Sequence, residues 1–173
     1  PTCRTALSTY IHTMITTSNR VAIYPGSFDP FTLGHKLIVD KALMLFDKIV
    51  VGLGENVNKR TFMPLERRKD IIRKVYAGDE RVETVHYDTL TADFCREHGI
   101  NFIIRGIRNV GDFEFERNVA QINRKLNSDL ETIFLMTPPE YSEISSTIVR
   151  DILVHGGDPL QFMPEGVTMD DLR

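Results

Sequence analysis

The sequence predicts an α/β protein in which five parallel strands form one sheet, doubly wound so that helices cover both faces. Short, nearly continuous apolar runs alternate with segments of helical periodicity along most of the chain. This alternation is typical of βαβ units, whose right-handed crossovers build a parallel sheet. No internal repeat or low-complexity segment competes with this interpretation, and 173 residues are enough for one domain with a substantial core.

The elements follow from the apolar pattern in chain order. The first predicted strand is the run 21–23, and the helix after it, 37–45, has an apolar stripe that would face a sheet. The other predicted strands are 48–53, 82–85, 102–104 and 131–136, and the other predicted helices are 64–76, 91–97, 113–126 and 148–153. Ligands of such a Rossmann-like sheet bind beyond the carboxyl ends of the strands, where the strand order switches.

The first residues differ from the rest of the chain. Residues 1–13 are rich in Thr and Ser and show no sustained periodicity, and a short polar linker follows Met14. The features of a secretory signal are not convincingly present. We therefore predict a foreign or upstream-translated leader and linker over 1–20, outside the core, and a single domain over 21–173.

Composition narrows the class of protein. The net charge of −3 disfavours a general nucleic-acid binder, which would usually be basic. The two cysteines are too few for a disulfide framework and have no metal-ligand spacing, so we expect a reducing, cytoplasmic setting. No apolar run approaches the length that crosses a bilayer, and we expect neither a membrane nor a nucleic acid as a partner.

The segment 24–35, between the first strand and the first helix, is predicted to bind an anion. Its prolines, its glycines and Asp29 break regular structure in quick succession, and Gly34 permits a close approach just before the helix. Unpaired amides and the positive end of the helix dipole would then face a ligand beside the His35 ring. In the alternative interpretation, His35 only caps the helix and the glycines only turn the chain.

Two motifs give the chain a family resemblance. Gly-Ser-Phe-Asp-Pro at 26–30, followed by Thr-Leu-Gly-His at 32–35, resembles the T/HxGH signature of nucleotidylyltransferases. That superfamily includes cytidylyltransferases, nicotinamide mononucleotide adenylyltransferases and, more distantly, class I aminoacyl-tRNA synthetases. Ile-Arg-Gly-Ile-Arg at 104–108, Asp-Phe-Glu-Phe-Glu at 112–116 and Asn-Arg at 123–124 closely resemble the phosphopantetheine adenylyltransferase family. The similarity runs from about residue 21 to the C-terminal region, with its segments in the same order.

The resemblance implies transfer of AMP from ATP to 4'-phosphopantetheine, which gives dephospho-coenzyme A and pyrophosphate. The nucleophile is already a phosphate anion, so the lack of a convincing Ser/His/Asp or Cys/His arrangement is expected. The protein has to align two polyanions and stabilise charge at the α-phosphorus. The catalytic residues implied by the resemblance are His35, Ser27, Lys59 and Arg108.

Several candidate site residues follow predicted strands and should therefore gather on one rim of the sheet. For ATP the resemblance implies Ser27, Phe28, His35, Gly106, Ile107, Arg108, Glu116, Tyr141, Ser142, Glu143, Ile144, Ser145, Ser146 and Thr147. For the acceptor it implies Ser27, Lys59, Thr91 and Arg105, with the pantetheine arm near Leu90 and Thr91.

Simpler interpretations of these residues stay open. The two arginines could pair only with Asp112, Glu114 or Glu116, and the hydroxyls at 145–147 could only cap a helix. Loop lysines such as Lys59 are usually just solvated, and the run 67–69 is predicted to form an exposed helical face.

Cofactor, assembly and function class are less constrained. The polyphosphate substrate implies Mg²⁺, but no Asp/Glu cluster identifies a metal site, so no ligand is assigned. The family forms hexamers, which by analogy predicts a homo-oligomer.

Phe115 stands where many relatives have Tyr, and residues 154–155 lack an arginine of some relatives. Another small nucleotidylyltransferase, of cytidylyl or NMN type, and an inactive nucleotide-binding module remain alternative functions.

Overall fold

The computed structural model describes residues 20–54 and 60–173. One sheet of five parallel strands is formed by β1 (Val21–Gly26), β2 (Lys48–Gly54), β3 (Val82–Tyr87), β4 (Phe102–Ile107) and β5 (Glu131–Met136). The helices are α1 (Leu33–Ala42), α2 (Leu65–Val75), α3 (Thr91–Glu97), α4 (Val110–Leu126), α5 (Ser146–Val154) and α6 (Met169–Leu172), with short 3-10 turns at Pro139–Tyr141 and Leu160–Phe162. The strand order is β3-β2-β1-β4-β5, so the predicted Rossmann-like α/β fold is confirmed.

Alternate strand residues bury themselves in two cores, one on each face of the sheet. Ala22 and Tyr24 of β1 belong to the core that is covered by α1, α2, α5 and α6. Ile23, between them, packs with Val50 and Ile103 in the second core, which α3 covers. The helix α4 lies beside α3 and against β4 and β5. Helices therefore cover both faces.

Element boundaries differ from the predictions for local reasons. The helix α1 begins at Leu33 rather than at 37 because Thr32 is its N-cap, and it ends at Ala42, so Leu45 lies outside it. The helix α4 begins at Val110 rather than at 113, because the Asn109 side chain accepts a hydrogen bond from the Asp112 amide at 2.9 Å. Two strands are longer than predicted. The strand β1 continues beyond 21–23 to Gly26, and β4 continues beyond 102–104 to Ile107.

The crevice that positions the site opens between β1 and β4. These strands pair only at Ala22–Phe102 and Ile23–Ile103, whereas β1 and β2 pair along their whole shared length, from Val21–Lys48 onward. Beyond Ile23 and Ile103 the carboxyl ends of β1 and β4 have no shared register, and this is also where the strand order switches.

Two predicted segments fall outside the described residues. They are 1–19, nearly the whole predicted leader and linker, and 55–59, which contains Lys59. In the described part, no helix is long and apolar enough to cross a membrane. Cys95 in α3 is a buried free thiol.

Candidate active site

A cavity of about 330 Å³ occupies the crevice between β1 and β4. The predicted site residues that line it are Ser27, Phe28, His35, Arg105, Gly106, Arg108, Glu116, Tyr141, Ile144, Ser145, Ser146 and Thr147. Ile107 is buried with 3 % of its surface exposed, and Ser142 and Glu143 are not among the lining residues. Thr91 lines a neighbouring cavity, and Lys59 is outside the described residues. The fold thus gathers most of the predicted residues around one crevice.

The loop from Ser27 to Thr32 forms the floor of this cavity and is held in a strained conformation. Phe28 has a φ of 44°, in the left-handed region that residues other than glycine rarely adopt. Its ring folds back over Gly26, where an added Cβ would lie 2.8 Å from Phe28 Cζ. Glycine is therefore required at position 26 by close packing, and the buried Phe28 ring lies edge-on to the His35 ring at 5.2 Å between centroids.

His35 lies in the first turn of α1 with one ring nitrogen already bonded. Its Nδ1 accepts a hydrogen bond from the Thr32 amide at 2.9 Å, which leaves the ring proton on Nε2. Burial, followed by the charges of Arg108 and Arg105, lowers the pKa of His35 to about 4. The Nδ1 atom caps the helix, and the Nε2 atom is available to a ligand, so both interpretations of His35 can hold. At neutral pH the ring is an uncharged Nε2–H donor on the cavity wall.

Arg105 on β4 and Glu116 on α4 form a largely buried ion pair. The Arg105 Nε donates to Glu116 Oε2 at 2.7 Å, its Nη2 donates to the other carboxylate oxygen, and its Nη1 donates to the Pro25 carbonyl at 2.6 Å. Burial alone would lower the pKa of Arg105, but the hydrogen bonds and charge of Glu116 raise it overall. Arg105 bridges the gap between β4 and β1, so this pair fixes the crevice that the strands leave open.

Arg108 and Asp112 form a second, more accessible pair on the same wall. The Arg108 Nε donates to Asp112 Oδ2 at 2.9 Å and its Nη2 donates to Oδ1 at 3.3 Å. The two side chains are 37 % and 25 % exposed, compared with 27 % and 10 % for Arg105 and Glu116. Both ion pairs that the simpler interpretation anticipated are present. Between the arginines, Gly106 is required because an added Cβ would lie 2.9 Å from Ile38 Cγ1.

The serine-rich turn before α5 is bonded to the floor loop. Ser145 caps the helix by accepting a hydrogen bond from the Ile148 amide at 3.3 Å, and Ser146 Oγ donates to the Pro30 carbonyl at 2.8 Å. Arg150, one turn into the helix, donates to the Asp29 carbonyl at 2.7 Å and to Thr147 Oγ1 at 3.1 Å. The hydroxyls therefore serve the protein's own structure while the start of α5 lines the cavity.

A second cavity of about 440 Å³ adjoins the first. Its lining includes Tyr87, Leu90, Thr91 and Phe115, and the Tyr87 and Thr91 hydroxyls are 2.9 Å apart. The two cavities share the Pro25–Gly26 backbone, Arg105 and Glu116. The Arg105–Glu116 ion pair is thus a common wall between two binding spaces.

The sequence did not predict the contacts that Asp29, Arg68 and Arg150 make in this region. The Asp29 carboxylate is buried and accepts hydrogen bonds from the amides of Phe62 at 2.7 Å and Met63 at 2.9 Å. The prediction that 67–69 is an exposed face is wrong for Arg68, which is 5 % exposed and donates to the Ser27 carbonyl at 2.7 Å. Arg150 follows Thr147 by one helical turn, and that spacing could have identified it.

Comparison with known proteins agrees with this geometry. The cytidylyltransferase-like family model matches residues 23–152. Phosphopantetheine adenylyltransferase of Phocaeicola vulgatus is 52% identical over 151 residues, 87% of this chain and 99% of the relative. The enzyme of the same name from Bacteroides thetaiotaomicron is 48% identical over the same shares.

Among solved structures, a putative nicotinate-nucleotide adenylyltransferase from Vibrio parahaemolyticus has a TM-score of 0.62 at 18% identity, covering 90% of this chain and 100% of that chain. At this identity the likeness concerns the fold alone. The family model covers most of the chain, and the relatives match it over nearly their whole length at about half identity. The chain therefore belongs to the phosphopantetheine adenylyltransferase family of nucleotidyltransferases.

Proposed function

We propose that this enzyme transfers AMP from ATP to 4'-phosphopantetheine, releasing pyrophosphate and dephospho-coenzyme A in the penultimate step of coenzyme A synthesis. The observation that carries this proposal is the pair of cavities that meet at the Arg105–Glu116 wall. One contains His35 and the start of α5, and the other is lined by Leu90, Thr91 and Phe115. A polyanionic nucleotide suits the first, and the elongated, largely uncharged pantetheine arm suits the second.

The reaction requires positioning rather than a base. An oxygen of the acceptor phosphate forms a bond to the α-phosphorus of ATP, and the bond from that phosphorus to the αβ-bridging oxygen breaks as pyrophosphate leaves. The attacking oxygen is already ionised, so no proton has to be removed. Donors aimed at the charge that develops on the phosphorus supply the main stabilisation.

His35 is proposed as the principal donor to the α-phosphate. Because its Nδ1 accepts the Thr32 amide hydrogen, the Nε2–H is available to a ligand. With a pKa of about 4, the ring is neutral at physiological pH and donates this hydrogen without acting as an acid or base. The contact with Thr32 fixes the ring orientation, which makes the donor preorganised.

The remaining proposed roles divide between the two substrates. Arg108 contacts the leaving pyrophosphate because it is the more accessible arginine of the wall, and Ser27 contributes a hydroxyl from the loop. The start of α5 presents its first-turn amides and helix dipole to the triphosphate. Arg105 faces both cavities and contacts the acceptor phosphate. The role of Lys59, outside the described residues, stays a prediction from the sequence.

Nucleotidyltransferases of this family generally use a divalent metal ion. We propose Mg²⁺, carried by the triphosphate oxygens and neutralising their charge. Within residues 20–54 and 60–173 no group of three His, Cys, Asp or Glu side chains is arranged to hold a metal ion. No protein ligand is assigned.

Assembly, compartment and domain boundaries are further proposals. We propose a homo-oligomer, a hexamer by family resemblance, supported by the exposed apolar residues Val110, Ile122 and Leu126 along α4.

A cytoplasmic location is supported by the free thiol of Cys95. Residues 21–173 are proposed to form one domain and 1–20 a leader. Light scattering tests the assembly, and deletion of 1–13 should leave turnover nearly unchanged.

The decisive test of the reaction is a substrate panel. Purified enzyme with Mg²⁺ is mixed with ATP or CTP and with 4'-phosphopantetheine, nicotinamide mononucleotide or an alcohol phosphate, and pyrophosphate release and product mass are followed. We expect pyrophosphate and dephospho-coenzyme A only with ATP and 4'-phosphopantetheine. Turnover of CTP with the alcohol phosphate, or of ATP only with nicotinamide mononucleotide, would refute the proposal, as would nucleotide binding without turnover.

The His35→Ala variant tests the proposed mechanism. Loss of one preorganised donor to the transition state should lower kcat by roughly a hundredfold, with a much smaller change in the ATP dissociation constant measured by calorimetry. Near-normal turnover, or an activity loss caused only by weaker ATP binding, would leave His35 with its capping contact to Thr32 as its sole role.

A further inference from the structure

Arg68 is a buried cation that the proposed mechanism does not use. It lies in the first turns of α2 with 5 % of its surface exposed. Its Nη1 donates to the Ser27 carbonyl at 2.7 Å, while its Nε is buried without a hydrogen-bond partner. Across residues 20–54 and 60–173, no carboxylate forms a salt bridge with it. Burying a guanidinium in this way is costly, since a buried charge is normally paired.

The point that Arg68 contacts is the most strained part of the floor loop. Ser27 precedes Phe28, whose φ of 44° is unfavourable for a residue with a side chain. On the other side of Phe28, the Asp29 carboxylate is held by the Phe62 and Met63 amides, just before α2 begins. The amino-terminal part of α2 and the residues leading into it therefore fix the loop on both sides of the strained residue.

We propose that Arg68 is a positioning residue for the phosphates of the nucleotide. It holds the Ser27 main chain through its hydrogen bond to the carbonyl, which keeps Ser27 and the Phe28 turn in place beside His35. It also leaves a positive charge next to the loop that forms no salt bridge with a carboxylate of the described chain. A bound polyanion balances this charge, so part of the cost of burying Arg68 is recovered only when the nucleotide binds. The inference rests on the proposed nucleotide site and adds to it a residue that does not line the cavity.

The neighbouring arginine provides a matched control. Arg67 is on the same helix, but its Nη1 donates to the carbonyls of Asp170 and Arg173 near the C-terminus, away from the cavity. Arg67→Met removes the same number of atoms and the same charge as Arg68→Met. Differences between the two variants therefore report the position of the charge and its contact with Ser27.

The test measures dissociation constants of AMP, ADP and ATP by calorimetry, with a melting curve of each variant. For Arg68→Met we expect ATP affinity to fall about tenfold or more, because a buried positive charge near the phosphates is removed, and AMP affinity to fall less, because AMP carries fewer negative charges. Arg68→Lys, which keeps the charge, should retain most of the difference between ATP and AMP. Arg67→Met should bind all three nucleotides as the wild type does.

Two results would overturn the proposal. One is an Arg68→Met variant whose ATP affinity matches that of Arg67→Met. The other is an equal loss for AMP and ATP, because the uncompensated charge of Arg68 should favour the nucleotide that carries more negative charge. If Arg68→Met does not fold, Arg68→Gln and Arg67→Gln replace the pair, with the same expectations. Adenylyl transfer by the wild type is measured in parallel, and its absence would refute the proposed function while the binding comparison still tests Arg68.

Discussion

The two arginines of the Arg-Gly-Ile-Arg motif form ion pairs with carboxylates one helical turn apart on α4, yet the pairs differ physically. Arg105 and Glu116 are largely buried, bonded through two nitrogens, and joined to β1 through the Pro25 carbonyl. Arg108 and Asp112 lie at the open rim and are more exposed. A buried pair is costly to break, and an exposed pair exchanges partners easily. The motif therefore provides one fixed ion pair, Arg105–Glu116, and one arginine, Arg108, that can exchange its carboxylate partner for a phosphate of the ligand.

The largest effect should come from breaking the buried pair. Glu116→Ala leaves the Arg105 charge in the protein without its counter-charge, which should lower the free energy of unfolding by about 3–5 kcal/mol. Asp112→Ala, at the exposed pair, should lower it by about 1 kcal/mol or less. Urea denaturation of both variants gives these values. Equal losses would show that the two pairs do not differ in the way that their burial indicates.

Much of the fold follows from sequence pattern, because buried parallel strands are short apolar runs with helices between them. The site was harder to predict where a residue acts through the tertiary structure. His35 and the arginine motif occur in recognisable local sequences, but Arg68 sits in a polar run, and helical periodicity alone does not reveal that its guanidinium is buried under Ser27. Asp29 likewise bonds to amides 33 and 34 residues away. Such contacts depend on how α2 packs against the loop, which no local pattern encodes.

The next largest effect should come from the exposed arginine and should concern rate rather than stability. Arg108→Met removes the cation proposed for the leaving pyrophosphate, so kcat should fall by roughly a hundredfold while the free energy of unfolding changes by about 1 kcal/mol or less. Steady-state kinetics and urea denaturation on the same preparation separate the two quantities. A large loss of stability in Arg108→Met would contradict the view that Arg108 forms an exposed ion pair that exchanges partners easily.

A smaller effect is expected on the pKa of His35, which compares the influence of the Arg108 and Arg105 charges on this ring directly. Burial, then the charge of Arg108 and then that of Arg105 together lower the pKa of His35 to about 4. Between about pH 6.5 and 4 the unfolded chain binds a proton that folded His35 does not, so this residue's contribution to stability is complete above that range and is lost as the pH falls.

In Arg108→Met the pKa of His35, measured by NMR, should rise towards its ordinary value, and the loss of stability on acidification should be smaller. His35→Asn, which has no titrating ring, is the control for the stability profile and should lack this part of the pH dependence. An unchanged pKa in Arg108→Met would show that the charge of Arg108 does not reach the ring.

The smallest effect should come from Asp112, which competes with the nucleotide for Arg108. Asp112→Asn keeps the side-chain shape and an acceptor oxygen but removes the counter-charge, so the Arg108 guanidinium is released to the triphosphate. We expect ATP to bind about two- to fivefold more tightly, the scale of one exposed ion pair, and kcat to fall slightly because pyrophosphate is also retained longer. Asp93→Asn is the matched control, because Asp93 also lies in the first turn of a helix and pairs with an arginine, Arg96, that lines neither active-site cavity.

Calorimetric titration of ATP into both variants measures the two dissociation constants. Weaker ATP binding in Asp112→Asn would mean that Asp112 orients Arg108 for the nucleotide instead of competing with it, and the exposed pair would then be as much a fixed part of the site as the buried one.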